Sequence, residues 1–236
     1  MERPPLERAS AGIEAFWFPG RWLGGVSLVL APALLLVAAL LRLPFDFFFP
    51  AQLVAASTHP TLLTTAYAMF YTGIVCLWPA ILTLTRAIGR THPSWAFWGG
   101  TLTMLGLFKR AFDAGANHFA LALVDIHGVD AATRTVGDYY GAFEGVARTL
   151  GVAALTGWIV LAIGAYKAGV LGLGRAVLLA LMAGLMMGVL KGSTWFSILQ
   201  VAGLCVALVP FGITVLRDGP ARVRAPLWQR SPSSVP

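Results

Sequence analysis

Six apolar stretches alternate with short polar or basic segments along the 236-residue chain. They run Trp22–Leu41, Leu62–Leu84, Trp95–Val124, Tyr139–Ala165, Ala176–Leu190 and Trp195–Leu216. A helix crosses the roughly 30 Å hydrocarbon core with about 20 mainly apolar residues. The pattern therefore predicts an all-α integral membrane protein, a bundle of six transmembrane helices. The third stretch is long for one crossing. The fifth is short but extendable in both directions. The first is longer than the 7–15 residues, roughly, of a signal-peptide core, and reads as a retained anchor.

Three regions follow. Residues 1–20 form a cytoplasmic or interfacial N-terminal segment, whose aromatic run "IEAFWFPGRW" suits the membrane interface. Residues 21–217 form the transmembrane domain. Residues 218–236, "DGPARVRAPLWQRSPSSVP", are too rich in Pro, Ser and Arg to fold, and read as a disordered basic tail.

Composition agrees with the pattern. The chain is 58% hydrophobic and 11% charged, whereas a soluble domain carries about 25% charged residues. A net charge of +7 would suggest nucleic acid in a soluble protein, but here the bases sit where they orient helices. With both termini cytoplasmic, the inner segments hold 11 of the 17 bases: Arg3, Arg8, Arg21, Arg86, Arg90, Lys167, Arg175, Arg217, Arg222, Arg224 and Arg230. The outer segments hold Arg42, Arg134 and Lys191. This bias predicts a multi-pass protein of the cytoplasmic membrane with both ends inside, the bilayer as its partner and no nucleic-acid role. Cys76 and Cys205 lie in apolar stretches without C-x-x-C spacing, which argues against a disulfide framework or thiol chemistry.

The third stretch carries the candidate chemistry. In "LGLFKRAFDAGANHFALALV", Leu105–Val124, the apolar run is interrupted by Lys109, Arg110, Asp113, Asn117 and His118. Arg110, Asp113 and Asn117 fall within about 60° on a helical wheel, and Lys109 and Asp113 are spaced to pair. Counted from Trp95, Lys109 is roughly 21 Å along the helix, beyond the midplane. The fourth stretch enters with "GDYYGAFEGVART", which puts Asp138, Tyr139 and Tyr140 at its outer edge and Glu144 and Arg148 deeper. Gly137, Gly141 and Gly145, and again Gly184, Gly188 and Gly192, recur every four residues, a spacing that lets helices pack closely.

The outer segment "RLPFDFFFPAQLVAASTHPT" adds Asp46 and His59 and is apolar enough to fold back over the bundle. Six of the ten acids, Asp46, Asp113, Asp125, Asp130, Asp138 and Glu144, lie in the outer half. Intramembrane charges usually face the bundle interior and mark function. The expectation is an outward-opening polar pocket for a lipophilic small molecule. Unpaired, such charges are costly, so Asp113 is expected to pair with Lys109 or Arg110, and Glu144 with Arg148.

Several functions fit such a pocket. A membrane-embedded acid/base enzyme would use Asp113 or Glu144 as proton donor. Substrate contacts would come from Lys109, Arg110, Asn117, His118, Tyr139, Tyr140, Arg148, Asp46 and His59. Aromatic walls would suit protonation-initiated cyclisation or isomerisation of an isoprenoid. The chain is similar to small membrane-embedded terpene cyclases in size and logic only, without a shared motif. A metal hydrolase using His59, His118, His127 and Asp113 lacks any H-x-x-x-H or H-E-x-x-H spacing, so no metal or other cofactor is expected. The alternatives are a small transporter or binding protein, or a non-catalytic regulator or immunity protein whose charges are structural pairs joining the third and fourth helices. Internal repeats of the kind transporters show are not apparent. Oligomeric state is not readable from the sequence.

Overall fold

A computed structural model describes residues 18–45, 50–184 and 194–218. Asp46, Lys191, Gly188, Gly192 and both tails lie outside the described residues. The described residues are helical, with no strand among them. The helices are α1 (Gly20–Leu41), α2 (Ala51–Thr58), α3 (Pro60–Gly89), α4 (Pro93–His127), α5 (Val129–Ala142), α6 (Glu144–Lys167), α7 (Leu173–Gly184) and α8 (Thr194–Asp218). Four are long and apolar enough to cross a membrane: α1, α3, α6 and, in α8, Trp195–Arg217.

The six helices α1, α3, α4, α6, α7 and α8 close into a ring. Each packs on the next, and α8 returns to α1. Neighbours run antiparallel where close contacts fix the direction. Gly24 of α1 meets Thr83 near the end of α3, while Gly73 of α3 meets Leu35 near the end of α1. Gly25 of α1 likewise meets Leu216 of α8. The Arg21 Nε donates to the Leu216 carbonyl at 2.8 Å, so the start of α1 and the end of α8 lie together at one end of the ring.

The side chains divide into two cores. The main core fills the ring with residues such as Leu28, Ile74, Leu77, Leu107, Trp158, Leu161, Leu204 and Leu208. A smaller core caps the opposite end. It joins Leu53, Ala55 and Ala56 of α2, Leu63 and Tyr67 of α3, Ala120, Leu121, Leu123 and Val124 of α4, and Ala132 and Val136 of α5. Two helices therefore pass through both cores. The 35 residues of α4 span about 52 Å, more than a hydrocarbon core is thick, and its last turns serve the cap. Gly128 makes the turn from α4 to α5 at φ +79°, a conformation that favours glycine, and its N–H closes α4 on the Val124 carbonyl.

One feature agrees with the sequence expectation and two differ from it. The segment after α1 does fold back, as the short helix α2, with Leu53 fully buried. The fourth apolar stretch is not one helix. It breaks at Phe143, so Tyr139 and Tyr140 belong to α5 and Glu144 opens α6. The row Gly137, Gly141 and Gly145 makes no close contact. Close approach occurs instead where α4 meets α6. A side chain at Gly99 would strike the Leu161 backbone, one at Gly106 would strike Ala154, and one at Gly157 would strike the Thr103 backbone. Helix backbones with small residues between them gain dispersion contacts that lipid cannot replace.

This seam yields a test. A Cβ at Gly157 would lie 2.4 Å from the Thr103 nitrogen. Gly157→Ala should therefore destabilise by about 1–3 kcal/mol, seen as a lower thermal unfolding midpoint in detergent. Gly141→Ala, with open space around it, should be neutral or raise the midpoint, since alanine is the better helix former by about 1 kcal/mol.

Candidate functional site

Where the two cores meet, the helices bring together charges from distant parts of the chain. Arg42, just past α1, is buried at 7% exposure. Its guanidinium carbon lies 5.0 Å from the centre of the Tyr67 ring and 5.1 Å from that of Phe70. Its Nε donates to the Ala38 carbonyl at 3.3 Å. Arg110, from the middle of α4, lies 5.1 Å from the same Phe70 ring. Two guanidinium groups from α1 and α4 thus converge on one aromatic ring of α3. The negative face of the ring is what makes this tolerable, at roughly 0.5–2 kcal/mol per contact.

Asp113 is the acid nearest these groups among the described residues. Its side chain is 12% exposed. The Lys109 Nζ donates to its Oδ2 at 2.5 Å, and an Arg110 terminal nitrogen lies 3.9 Å from the same oxygen. Both contacts follow from helical spacing, since residues three and four apart share a face. Arg110 is also within electrostatic reach of Arg42, Tyr67 and Tyr140. Its Nε is buried and has no hydrogen-bond partner among the described residues. A buried donor without an acceptor forfeits about 1–3 kcal/mol.

Polar side chains from the cap complete the surroundings. The Gln52 amide of α2 donates to the Tyr67 hydroxyl. Tyr140 of α5 packs against the cap core. Burial first, and the negative charge of Asp113 second, push its phenol up to about 12, so it stays a neutral hydroxyl beside the charged groups. Next to it, Tyr139 stacks on Phe112 at 5.6 Å and touches Phe143 at 5.1 Å. Phe108 and Phe112, one turn apart on α4, are about half exposed and lie on the face of the helix opposite Arg110.

The sequence-derived candidates divide on this geometry. Lys109, Arg110, Asp113 and Tyr140 come together, with Tyr139 at the edge. Asn117 is half-buried one turn beyond Asp113, and His118 is exposed. Glu144 and Arg148 hydrogen-bond each other but are 67% and 75% exposed, because the break at Phe143 puts them at the start of a helix. His59 is exposed with its ring 5.3 Å from Phe45. Asp46 lies outside the described residues. Among the described residues no three His, Cys, Asp or Glu are grouped as metal ligands. Both ion pairs are internal to one helix, so neither joins the third and fourth apolar stretches. Arg42, Gln52, Tyr67 and Phe70 were not among the candidates.

No protein family, curated protein or solved structure matches the chain.

The cluster predicts an unequal response to two substitutions. Phe70→Leu keeps an apolar side chain but removes both arginine–ring contacts, and should cost about 1–4 kcal/mol. Glu144→Gln breaks only an exposed pair and should change stability by less than about 0.5 kcal/mol. Thermal unfolding of both variants in the same detergent measures the difference. Equal midpoints would remove Phe70 from its central position.

Proposed function

We propose that the chain is a six-span protein of the cytoplasmic membrane, with both termini inside, that binds a lipophilic small molecule in its outer half. The topology draws on the unequal distribution of basic residues, eleven against three across the two sides. It also draws on the closed ring, in which α4 and α7 sit between helices apolar enough to span. In this reading α4 crosses despite its charges because they face the ring and the cap rather than lipid. The cap of α2 and α5 then covers the outer end.

The observation that carries the binding role is the buried cluster of Arg42, Arg110, Lys109 and Asp113 around Phe70. A helix bundle does not need such a cluster to fold, and desolvating its members is costly. Binding is favoured over protonation-initiated catalysis for a geometric reason. Asp113 already accepts from Lys109 and lies near Arg110, and Glu144 is exposed beside Arg148. Neither carboxyl stands free against an apolar wall, as a proton donor to an isoprenoid would.

Two measurements test the two halves of this reading. Native mass spectrometry of protein extracted from its own membranes in mild detergent should show a retained amphiphile, diminished in Phe70→Leu. A clean apo mass for the unaltered protein would count against a ligand site. Single cysteines introduced at Ser94 and Asp130, with Cys76 and Cys205 changed to serine, should be labelled by an impermeant maleimide from opposite faces. Labelling from the same face would overturn the topology.

A further inference from the structure

The Arg110 Nε is a charged group's donor, buried, without an acceptor among the described residues, and set beside a second guanidinium. Asp113 is the acid within contact of Arg110 among the described residues, and its contact with Lys109 at 2.5 Å is much closer than that with Arg110 at 3.9 Å. Lys109 thus takes most of what Asp113 offers, and Arg110 is left under-satisfied. Arginine presents planar, paired donors that match the oxygens of a phosphate or carboxylate, whereas a neutral headgroup offers no such match. The Gln52–Tyr67 hydrogen bond and the neutral Tyr140 hydroxyl add polar groups on the cap side.

We infer that this site takes an amphiphile with an oxyanion head, a phosphate monoester or a carboxylate, whose oxygens accept from Arg110. The inference rests on the lipophilic-ligand reading of the same site and names its chemistry. Asp113 then has a second role. It holds Lys109 in place and competes with the incoming anion for Arg110. Removing the positive partner and removing the negative competitor should therefore move affinity in opposite directions, which a purely structural cluster would not do.

The test is a binding titration of the full chain in detergent with four probes: dioleoylphosphatidic acid, oleic acid, dioleoylglycerol and inorganic phosphate. Phosphatidic acid or oleic acid should bind about tenfold or more tighter than dioleoylglycerol. Arg110→Gln should remove that preference, and Asp113→Asn should strengthen it. Arg110→Lys, which keeps the charge but loses the planar donors, should give an intermediate affinity and stands in if the glutamine variant does not fold. Equal binding of dioleoylglycerol, or Asp113→Asn weakening the anionic probes along with Arg110→Gln, would overturn the oxyanion inference and leave the lipophilic-ligand reading standing. Inorganic phosphate binding as tightly as phosphatidic acid would keep the oxyanion chemistry and sink the lipophilic reading. No binding of any probe would overturn both.

Discussion

Everything at the capped end of this molecule depends on keeping cations inside an otherwise apolar bundle. An isolated charge in such surroundings is several kcal/mol less stable than in water. Here Arg42 and Arg110 approach the Phe70 ring at 5.1 Å each, and Lys109 is held by Asp113. Phe70 lies on α3, between the helices that carry the two arginines. The same ring therefore fixes the relative positions of α1, α3 and α4, and the charges tie together helices that their ion pairs do not.

The rest of the bundle makes that arrangement possible. Close contact between α4 and α6 through Gly99, Gly106 and Gly157 leaves α4 little freedom to slide or rotate. Its length carries it from the main core into the cap, so Arg110 and Asp113 sit near the junction of the two cores rather than at a helix end. Arg42 bridges that junction by touching Tyr67 of the cap core and Phe70 of the main core. A close-packed ring at one end and a small cap at the other frame the ligand site proposed above. Elements with few buried contacts open most readily, and α5, with Ala132 and Val136 as its buried residues, is the most lightly held of the cap helices.

Much of this was legible in the sequence, but unevenly. Apolar stretches long enough to span revealed the helical membrane class, and four of the helices meet that standard in the structure. The spacing of Lys109, Arg110 and Asp113 foretold their contacts because helical neighbours recur at three and four residues. Arg42 was read as an ordinary charge at the end of a span, since nothing local marks it as turning inward. Tyr67 and Phe70 carry no mark of their own in the apolar run of the second stretch, although their three-residue spacing puts them on one face. The break at Phe143 does divide a polar helix from an apolar one, but no proline marks it. The glycines around it, Gly137, Gly141 and Gly145, have the spacing of packing contacts but make none, and their low helix propensity is the more relevant property. The real seam offered a quieter signal, Gly99 and Gly106 seven residues apart on the same face of α4.

The claim at the centre of this account is that Arg110 carries a donor waiting for an oxyanion. The most direct measurement is NMR of the protein with ¹⁵N-labelled arginine, following the Nε–H resonance assigned to Arg110 by its loss in Arg110→Gln. Adding dioleoylphosphatidic acid should shift that resonance downfield and protect it from exchange, while dioleoylglycerol leaves it unchanged. A resonance that responds to neither, or to both alike, would contradict the account and return the cluster to a purely structural role.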